Sequence, residues 1–198
     1  MQFNTRLLHA ESSVPMMHGE ILPPVSQVSA FRYDTMESLE QVFHHKRMGY
    51  AYTRIGNPTI TALERKINEL EGGAGAVCCS SGMAAITSAI LAVCVSGDEI
   101  IAGSGLYGGT IDLLHDLEKL GIHTVFLKKL TDETLKNAIN EKTRLVFGEM
   151  ISNPAQQVLN VPEVSRVAHE YGIPLFVDST TATPYIVRPL ELGADAVS

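Results

Sequence analysis

Two serines and a glycine, Ser80-Ser81-Gly82, connect two apolar segments of the sequence. The segment before them, residues 76–79, is typical of a short buried strand, and the segment after them, residues 84–93, is typical of a helix. The first N–H groups of a helix have no partners inside it, and together with the helix dipole they attract anions, most often phosphate. The turn therefore indicates either a phosphate site or a plain strand–helix connection that a serine caps.

A tyrosine and an arginine that suit anion binding lie in the loop of residues 49–58, which is bounded by glycine and proline. The guanidinium of Arg54 has the geometry to hold a phosphate or a carboxylate, and Tyr52 adds a hydroxyl donor. The alternative interpretation is a loop arginine paired with a surface acid.

Strand and helix patterns alternate from residue 76 onward. Apolar runs predict strands at residues 76–79, 99–102, 123–127, 144–148 and 174–177, with a last one beginning near Ala194. Helices are predicted at residues 59–70, 83–95, 110–120, 132–140 and 162–171. This alternation with short connections indicates an α/β fold, in which a mostly parallel sheet has helices on both faces.

The first part of the chain has a different character. Residues 1–50 show no strong periodicity, and residues 37–45 form the only segment there that is typical of a helix. We therefore expect an extended N-terminal arm and inter-subunit loop, residues 1–58, that lies on another surface such as a neighbouring subunit. The remaining residues, 59–198, are expected to form the ligand-binding domain.

Several polar residues and one aromatic residue follow the predicted strands at their carboxyl ends, where parallel sheets bind ligands. They are Tyr107, Glu149, Asn153, Asp178 and Thr180. The set suits a flat, phosphorylated, nitrogen-containing ring, because Tyr107 could stack on it and Asp178 could pair with a protonated ring nitrogen. Each residue also has a purely structural interpretation, as a core aromatic, a turn residue before proline or a helix cap. Their convergence on one edge of the sheet favours a site.

One motif points to another class of enzyme. Residues 103–108 match the G-x-G-x-x-G pattern of dinucleotide-binding loops. Such a site needs an acid near the end of the next strand, where this chain has Lys128-Lys129, which would suit at best a 2′-phosphate. A nicotinamide-dependent dehydrogenase is therefore the weaker alternative.

Composition limits the remaining function classes. The net charge of −7 offers no basic surface for nucleic acid, and the apolar run of residues 84–95 is too short to span a membrane. The first residues lack the order of a signal peptide, so we expect a cytoplasmic protein. Cys78, Cys79 and Cys94 have no metal-site spacing and are predicted to be buried, reduced thiols.

Six segments, in order along nearly the whole chain, resemble the Cys/Met-metabolism family of pyridoxal-phosphate (PLP) enzymes, a group of fold type I. They are residues 52–59 (YTRIGNPT), 80–83 (SSGM), 106–110 (LYGGT), 149–154 (EMISNP), 177–185 (VDSTTATPY) and 188–195 (RPLELGAD). The resemblance implies that the cofactor is pyridoxal 5′-phosphate. It also implies that the backbone of Gly82 and Met83 holds its phosphate. Tyr52 and Arg54 would reach the cofactor of a neighbouring subunit in a dimer or tetramer.

The same resemblance assigns roles around the cofactor ring. Tyr107 would stack on the ring and help the leaving group depart, and Asn153 would meet the ring hydroxyl with Thr180 nearby. Asp178 would keep the ring nitrogen protonated, so that the cofactor can withdraw charge from the substrate. Tyr107 and Asp178 are thus the expected catalytic residues of this chain.

Two features of the family do not occur in these residues. The lysine that forms the Schiff base usually follows the Gly-Ala-Asp segment and would lie beyond Ser198, and the C-terminal domain is absent. We therefore expect the chain to be the N-terminal half of a polypeptide about twice as long, and to be inactive alone, because nucleophilic catalysis needs that lysine.

The resemblance implies γ-replacement or γ-elimination on a sulfur amino acid or an O-acylhomoserine. Gly109 stands where methionine γ-lyases usually carry cysteine, which disfavours that activity. The sequence of residues 52–55, YTRI, is more similar to that of the O-acetylhomoserine sulfhydrylases. The alternative is a methionine or cystathionine γ-lyase. A hypothesis of another class is a non-catalytic fragment or partner subunit that lends Tyr52 and Arg54 to a partner's site.

Overall fold

A computed structural model describes residues 2–9, 19–20 and 22–198. The chain forms two compact units, Met1–Cys78 and Cys79–Ser198. The division into an arm of residues 1–58 and a domain of residues 59–198 stays a prediction. Across the described ranges, no helix has the length and apolar character needed to cross a membrane.

The described residues of the first unit form three helices, α1 (Phe3–His9), α2 (Met36–Phe43) and α3 (Pro58–Glu71). The prediction that residues 37–45 are the only helix before residue 50 is wrong, because α1 is helical as well. Its own sequence pattern is weak, but α1 packs on α3, and Lys66 Nζ donates a hydrogen bond to the Leu7 carbonyl at 3.0 Å. Tertiary contact can support a helix where intrinsic propensity does not.

Both ends of α3 follow local signals in the sequence. Asn57 caps its start by accepting a hydrogen bond from the Thr59 N–H at 2.9 Å, and Pro58 occupies the first helical position. Gly72 ends the helix with φ of 74°, a left-handed conformation that glycine adopts without steric cost.

The second unit is a five-stranded sheet with helices around it. Its strands are β1 (Glu99–Gly103), β2 (His123–Leu127), β3 (Thr143–Glu149), β4 (Leu175–Asp178) and β5 (Ala196–Val197). They are all parallel, in the order β2-β1-β3-β4-β5. The helices are α4 (Gly82–Val93), α5 (Gly108–Leu117), α6 (Asp132–Ala138), α7 (Val161–Glu170) and the short α8 (Thr183–Ile186). Two 3-10 turns, Glu118–Leu120 and Pro189–Leu192, complete the unit.

Helices cover both faces of the sheet, as predicted. Alternate residues of β3 point to opposite faces, so Val146 packs in one apolar cluster and Leu145 and Phe147 pack in the other. The first cluster contains residues of α6 and α7, and the second contains residues of α4 and α5. The Phe147 and Phe176 rings meet edge to face across the second cluster, with centroids 5.2 Å apart.

The prediction of a buried strand at residues 76–79 is wrong. These residues form no strand, and Val77 is 83% exposed. The Cys78 N–H donates to the Glu64 side chain at 2.9 Å, and no strand of the described residues pairs with the segment. The prediction of buried thiols holds for Cys94 but is wrong for Cys79, which is exposed, and for Cys78, which is half-buried.

Candidate functional site

Three of the predicted site residues lie at the carboxyl edge of the sheet. Glu149 and Asp178 are the last residues of β3 and β4 and are register partners on these neighbouring strands. Tyr107 follows β1, which pairs with the other side of β3, and directly precedes α5. The sheet topology thus brings a phenol and two carboxyl groups to one edge.

The start of α4 lies at this same edge. After α4 ends, the Val95 N–H donates to Asp98 Oδ2 at 2.8 Å, and Asp98 immediately precedes β1, so the C-terminal end of α4 lies at the amino edge of the sheet. Ile86 and Ile90 pack α4 along the sheet, and a helix of this length spans about 18 Å. Gly82 and Met83 must therefore lie near the carboxyl edge.

The first turn of α4 has the features of an anion site. Ser81 is the N-cap, and its Oγ accepts a hydrogen bond from the Ala84 N–H at 3.1 Å. Within the described part of the chain, the N–H groups of Gly82 and Met83 form no hydrogen bond. A Cβ at Gly82 would meet nothing within 4 Å, so the space beside this turn is open.

Asp178 holds the loop that follows β4 with one of its two carboxylate oxygens. Oδ1 accepts from the Thr180 N–H at 2.9 Å, whereas Oδ2 has no hydrogen bond among the residues that the structure describes. The residue is half-buried, and Thr180 is exposed. Asp178 therefore has an acceptor available for a cationic or N–H group at the sheet edge.

Glu149 is the most enclosed acid of this edge, with 8% of its surface exposed. Its Oε1 accepts from the Tyr107 N–H at 2.6 Å, and its Oε2 accepts from the Asn153 N–H at 3.0 Å. Burial raises the pKa of its carboxyl, and the nearby charge of Asp178 raises it further, against the two N–H donors that lower it.

The Tyr107 ring and the Asn153 amide are both accessible. Tyr107 is 50% exposed, and its ring lies against Gly109, where a Cβ would be 2.6 Å from the ring atom Cε1. Asn153 is exposed in the loop of residues 152–157, which a bridge between Ile151 and Val158 closes. Both side chains are thus free to meet a ligand.

Residues 103–106 of the glycine-rich motif line a cavity of about 440 Å³. Gly103, Gly105, Lys128 and Lys129 line it together with Glu149 and Glu163. Two carboxylates beside the glycine loop are unfavourable for the phosphates of a dinucleotide.

Tyr52 and Arg54 belong to the first unit and form a local pair. The Arg54 guanidinium carbon lies 5.3 Å from the centre of the Tyr52 ring, and both side chains are exposed. Arg54 forms no ion pair with the described residues, so the alternative of a surface acid partner has no support here. Thr53 fixes the loop, because its N–H donates to the Ser29 carbonyl and its hydroxyl to the Val28 carbonyl.

Two functional features were not assigned from the sequence. Glu149 stood among the strand-end residues, but its contact with Tyr107 spans 42 residues of chain, and no local pattern predicts such a contact. The sequence marks Gly109 only as a difference from some relatives, whereas in the structure its missing side chain makes room for the Tyr107 ring.

Comparison with characterised proteins gives two close groups of relatives. The chain is 44% identical over 197 residues to an O-acetyl-L-homoserine sulfhydrylase of Corynebacterium glutamicum, covering 98% of this chain and 45% of that protein. It is 37% identical over 198 residues to an L-methionine gamma-lyase of Treponema denticola, covering 98% of this chain and 49% of the lyase. The chain spans about half the length of the curated relatives it matches.

Solved structures agree with this relationship. A Campylobacter jejuni protein that carries N′-pyridoxyl-lysine-5′-monophosphate superimposes with a TM-score of 0.92 at 28% identity, over 100% of this chain and 48% of that one. A cystathionine gamma-lyase of Lactobacillus plantarum superimposes with a TM-score of 0.89 at 30% identity, over 100% of this chain and 49% of that one. The family model described as Cys/Met metabolism PLP-dependent enzyme matches residues 4–198. The chain therefore belongs to the Cys/Met-metabolism family of PLP-dependent enzymes.

Proposed function

We propose that the protein containing this chain catalyses γ-replacement or γ-elimination on a sulfur amino acid or an O-acylhomoserine, and that an O-acetylhomoserine sulfhydrylase is the best candidate. The observation that carries the proposal is the shared sheet edge of a helix start, an accessible phenol and a carboxylate with an available oxygen. The 44% identity to a sulfhydrylase supports the choice of reaction.

The first turn of α4 would bind the phosphate of the cofactor. The N–H groups of Gly82 and Met83 are available and point away from the body of the helix, and the absence of a side chain at Gly82 leaves room for a bulky anion. The helix dipole adds to the attraction. The residues present therefore fit a phosphorylated group.

The ring of the cofactor would meet side chains of three loops. Tyr107 would stack on it, Asn153 would donate to its hydroxyl with Thr180 nearby, and Asp178 Oδ2 would accept from its ring N–H. The bound cofactor supplies an electron sink for the substrate carbon that loses its proton. Asp178 makes that sink effective, because its negative charge favours the protonated ring nitrogen.

Tyr107 would also act on the substrate. The side chain is accessible and a phenol can act as a general acid, so its hydroxyl would donate a proton to the departing γ-substituent. This chain would therefore supply a stacking ring and an acid from the same side chain.

Tyr52 and Arg54 would act in a neighbouring subunit. The exposed pair lacks an acid partner among the described residues, which supports a role in binding the phosphate of a second copy's cofactor. Self-association as a dimer or tetramer with shared sites follows from this proposal, and a cytoplasmic location remains a prediction.

The experiment compares two substrates of the purified protein, produced from its own gene, in the presence of PLP. With O-acetyl-L-homoserine and sulfide, we expect homocysteine, and Asp178→Asn should lower its rate about a hundredfold, as for the loss of one preorganised electrostatic partner. Release of ammonia and a 2-oxo acid from L-methionine at a higher rate would instead identify a γ-lyase. Binding of PLP without turnover of either substrate would favour a non-catalytic partner subunit.

A further inference from the structure

One buried carboxylate connects two separate loops of the candidate site. Glu149 ends β3, and its two oxygens accept one hydrogen bond each, from the Tyr107 N–H at 2.6 Å and from the Asn153 N–H at 3.0 Å. A buried carboxylate is costly unless such donors compensate it. The side chain therefore has a fixed position and fixes both backbones in turn.

These two backbones carry side chains that the proposed function uses. Tyr107 directly precedes α5, and Asn153 lies in the loop that a bridge between Ile151 and Val158 closes. We propose that Glu149 is a positioning residue of the cofactor site, whose carboxylate aligns the Tyr107 ring and the Asn153 amide by holding their N–H groups. The functional part of this inference rests on the proposed function, whereas the hydrogen-bonded clamp itself does not.

Protonation would weaken the clamp. A carboxylate accepts at both oxygens, but a protonated carboxyl presents an O–H to one of the two N–H donors. The charged groups around Glu149 are Asp178 on β4 and, along the cavity that Glu149 lines, Lys128, Lys129 and Glu163. Burial and the charge of Asp178 raise the pKa of Glu149, so the clamp strengthens as the pH rises above the usual glutamate range.

A matched control exists in the same unit. Glu163 also accepts from two donors, the Asp132 N–H at 2.8 Å and the Asn160 side-chain amide at 2.8 Å, but neither partner belongs to the candidate site. A glutamine in either place keeps the size of the side chain and has only one oxygen acceptor, so one N–H then faces an NH₂ group.

The first measurement is backbone amide hydrogen exchange of the protein without cofactor. In Glu149→Gln, exchange should accelerate about tenfold or more at Tyr107 or Asn153, and in Glu163→Gln it should accelerate at Asp132 instead. Unchanged exchange at both site residues in Glu149→Gln would overturn the clamp. Should Glu149→Gln not fold, Glu149→Asp, whose shorter side chain cannot hold both donors, takes its place.

The second measurement is the binding of PLP and the circular dichroism of the bound cofactor. We expect Glu149→Gln to weaken binding about tenfold and to change the dichroism, and Glu163→Gln to leave both unchanged. Equal affinity and dichroism in wild type and Glu149→Gln would overturn the positioning role. If wild type binds no PLP, the proposed function and the positioning role both fail. Hydrogen exchange still tests whether Glu149 holds the two N–H groups.

Discussion

Gly109 and the ring of Tyr107 lie so close that a Cβ on Gly109 would be 2.6 Å from Tyr107 Cε1 and 3.3 Å from two further ring atoms. The neighbouring Gly108 has open space, since a Cβ there would meet nothing within 4 Å. Both glycines belong to the first turn of α5. The position of the Tyr107 ring therefore depends on one of two adjacent glycines.

Gly109→Ala should displace the Tyr107 ring, because a Cβ cannot share that space with it. If the ring stacks on the cofactor, PLP affinity should fall about tenfold. Gly108→Ala is the control and should keep the affinity while changing the stability of the helix by at most about 1 kcal/mol. Titration of both variants with PLP measures the difference. Equal affinities would show that the position of the Tyr107 ring does not affect the binding of PLP.

The pH dependence of stability should report the raised pKa of Glu149. Burial makes ionisation of this group cost more in the folded protein than in the unfolded chain, and the two N–H donors of the clamp offset only part of that cost. The stabilising contribution is therefore complete below the usual glutamate range and is lost as the pH rises through the raised value, even though the ionised carboxylate is the form that accepts both N–H groups. The free energy of unfolding of wild type should therefore fall relative to that of Glu149→Gln as the pH rises from the usual glutamate range through the raised pKa. Urea unfolding across this range measures the difference. A difference that grows in favour of wild type with rising pH would contradict the expected sign.

Asn57 should be essential for the loop that carries Tyr52 and Arg54. It is 4% exposed, and besides capping α3 its amide donates to the Ser26 carbonyl and the Thr53 hydroxyl, both at 3.1 Å. Asn57→Asp keeps the cap but loses both donors, so we expect a loss of about 2 kcal/mol in the free energy of unfolding.

The control for this change is Thr35→Ala, which removes the exposed cap of α2. It should cost about 1 kcal/mol. Urea unfolding compares the two variants, and a smaller loss for Asn57→Asp than for Thr35→Ala would show that the long-range bonds of Asn57 contribute little.

The thiols should differ strongly in reactivity. Cys79 is exposed, whereas Cys94 is buried, and burial together with the charge of Asp98 raises its pKa to about 11. Because the thiolate is the reactive form, Cys94 should react more than about a hundredfold more slowly than Cys79 near neutral pH. Mass spectrometry after timed labelling measures both sites. Similar rates in the folded protein would contradict the burial of Cys94.

Local signals in the sequence are sufficient to predict the positions of most strands of the sheet. The strand His123–Leu127 has its predicted bounds, because Gly121 ends the preceding helical segment and the next residues end in an apolar run, Val-Phe-Leu. Residues 76–79 have a similar apolar run but form no strand, since a strand also needs a neighbour to accept its hydrogen bonds. Periodicity does not contain that information.

In the candidate site too, the sequence pattern predicts the positions of the strands but not the contacts between distant segments. The β–α alternation predicts that Glu149 and Asp178 directly follow two strands at one sheet edge, and the structure places them as the last residues of those strands. The bond from Tyr107 to Glu149 and the contact of Gly109 with the Tyr107 ring depend on how loops fold back in three dimensions. Helix α1 was missed for a related reason, because its support comes from packing on α3.

The most direct test of the central claim is a titration of the protein with PLP, followed by the visible absorbance and dichroism of the bound cofactor. We predict saturable binding at one site per chain, weakened about tenfold or more by Asp178→Asn, which removes the charge that faces the ring nitrogen. NADP⁺ should neither bind nor compete. Absence of saturable PLP binding, or protection of the protein by NADP⁺ and not by PLP, would contradict the assignment of the sheet edge as a PLP site.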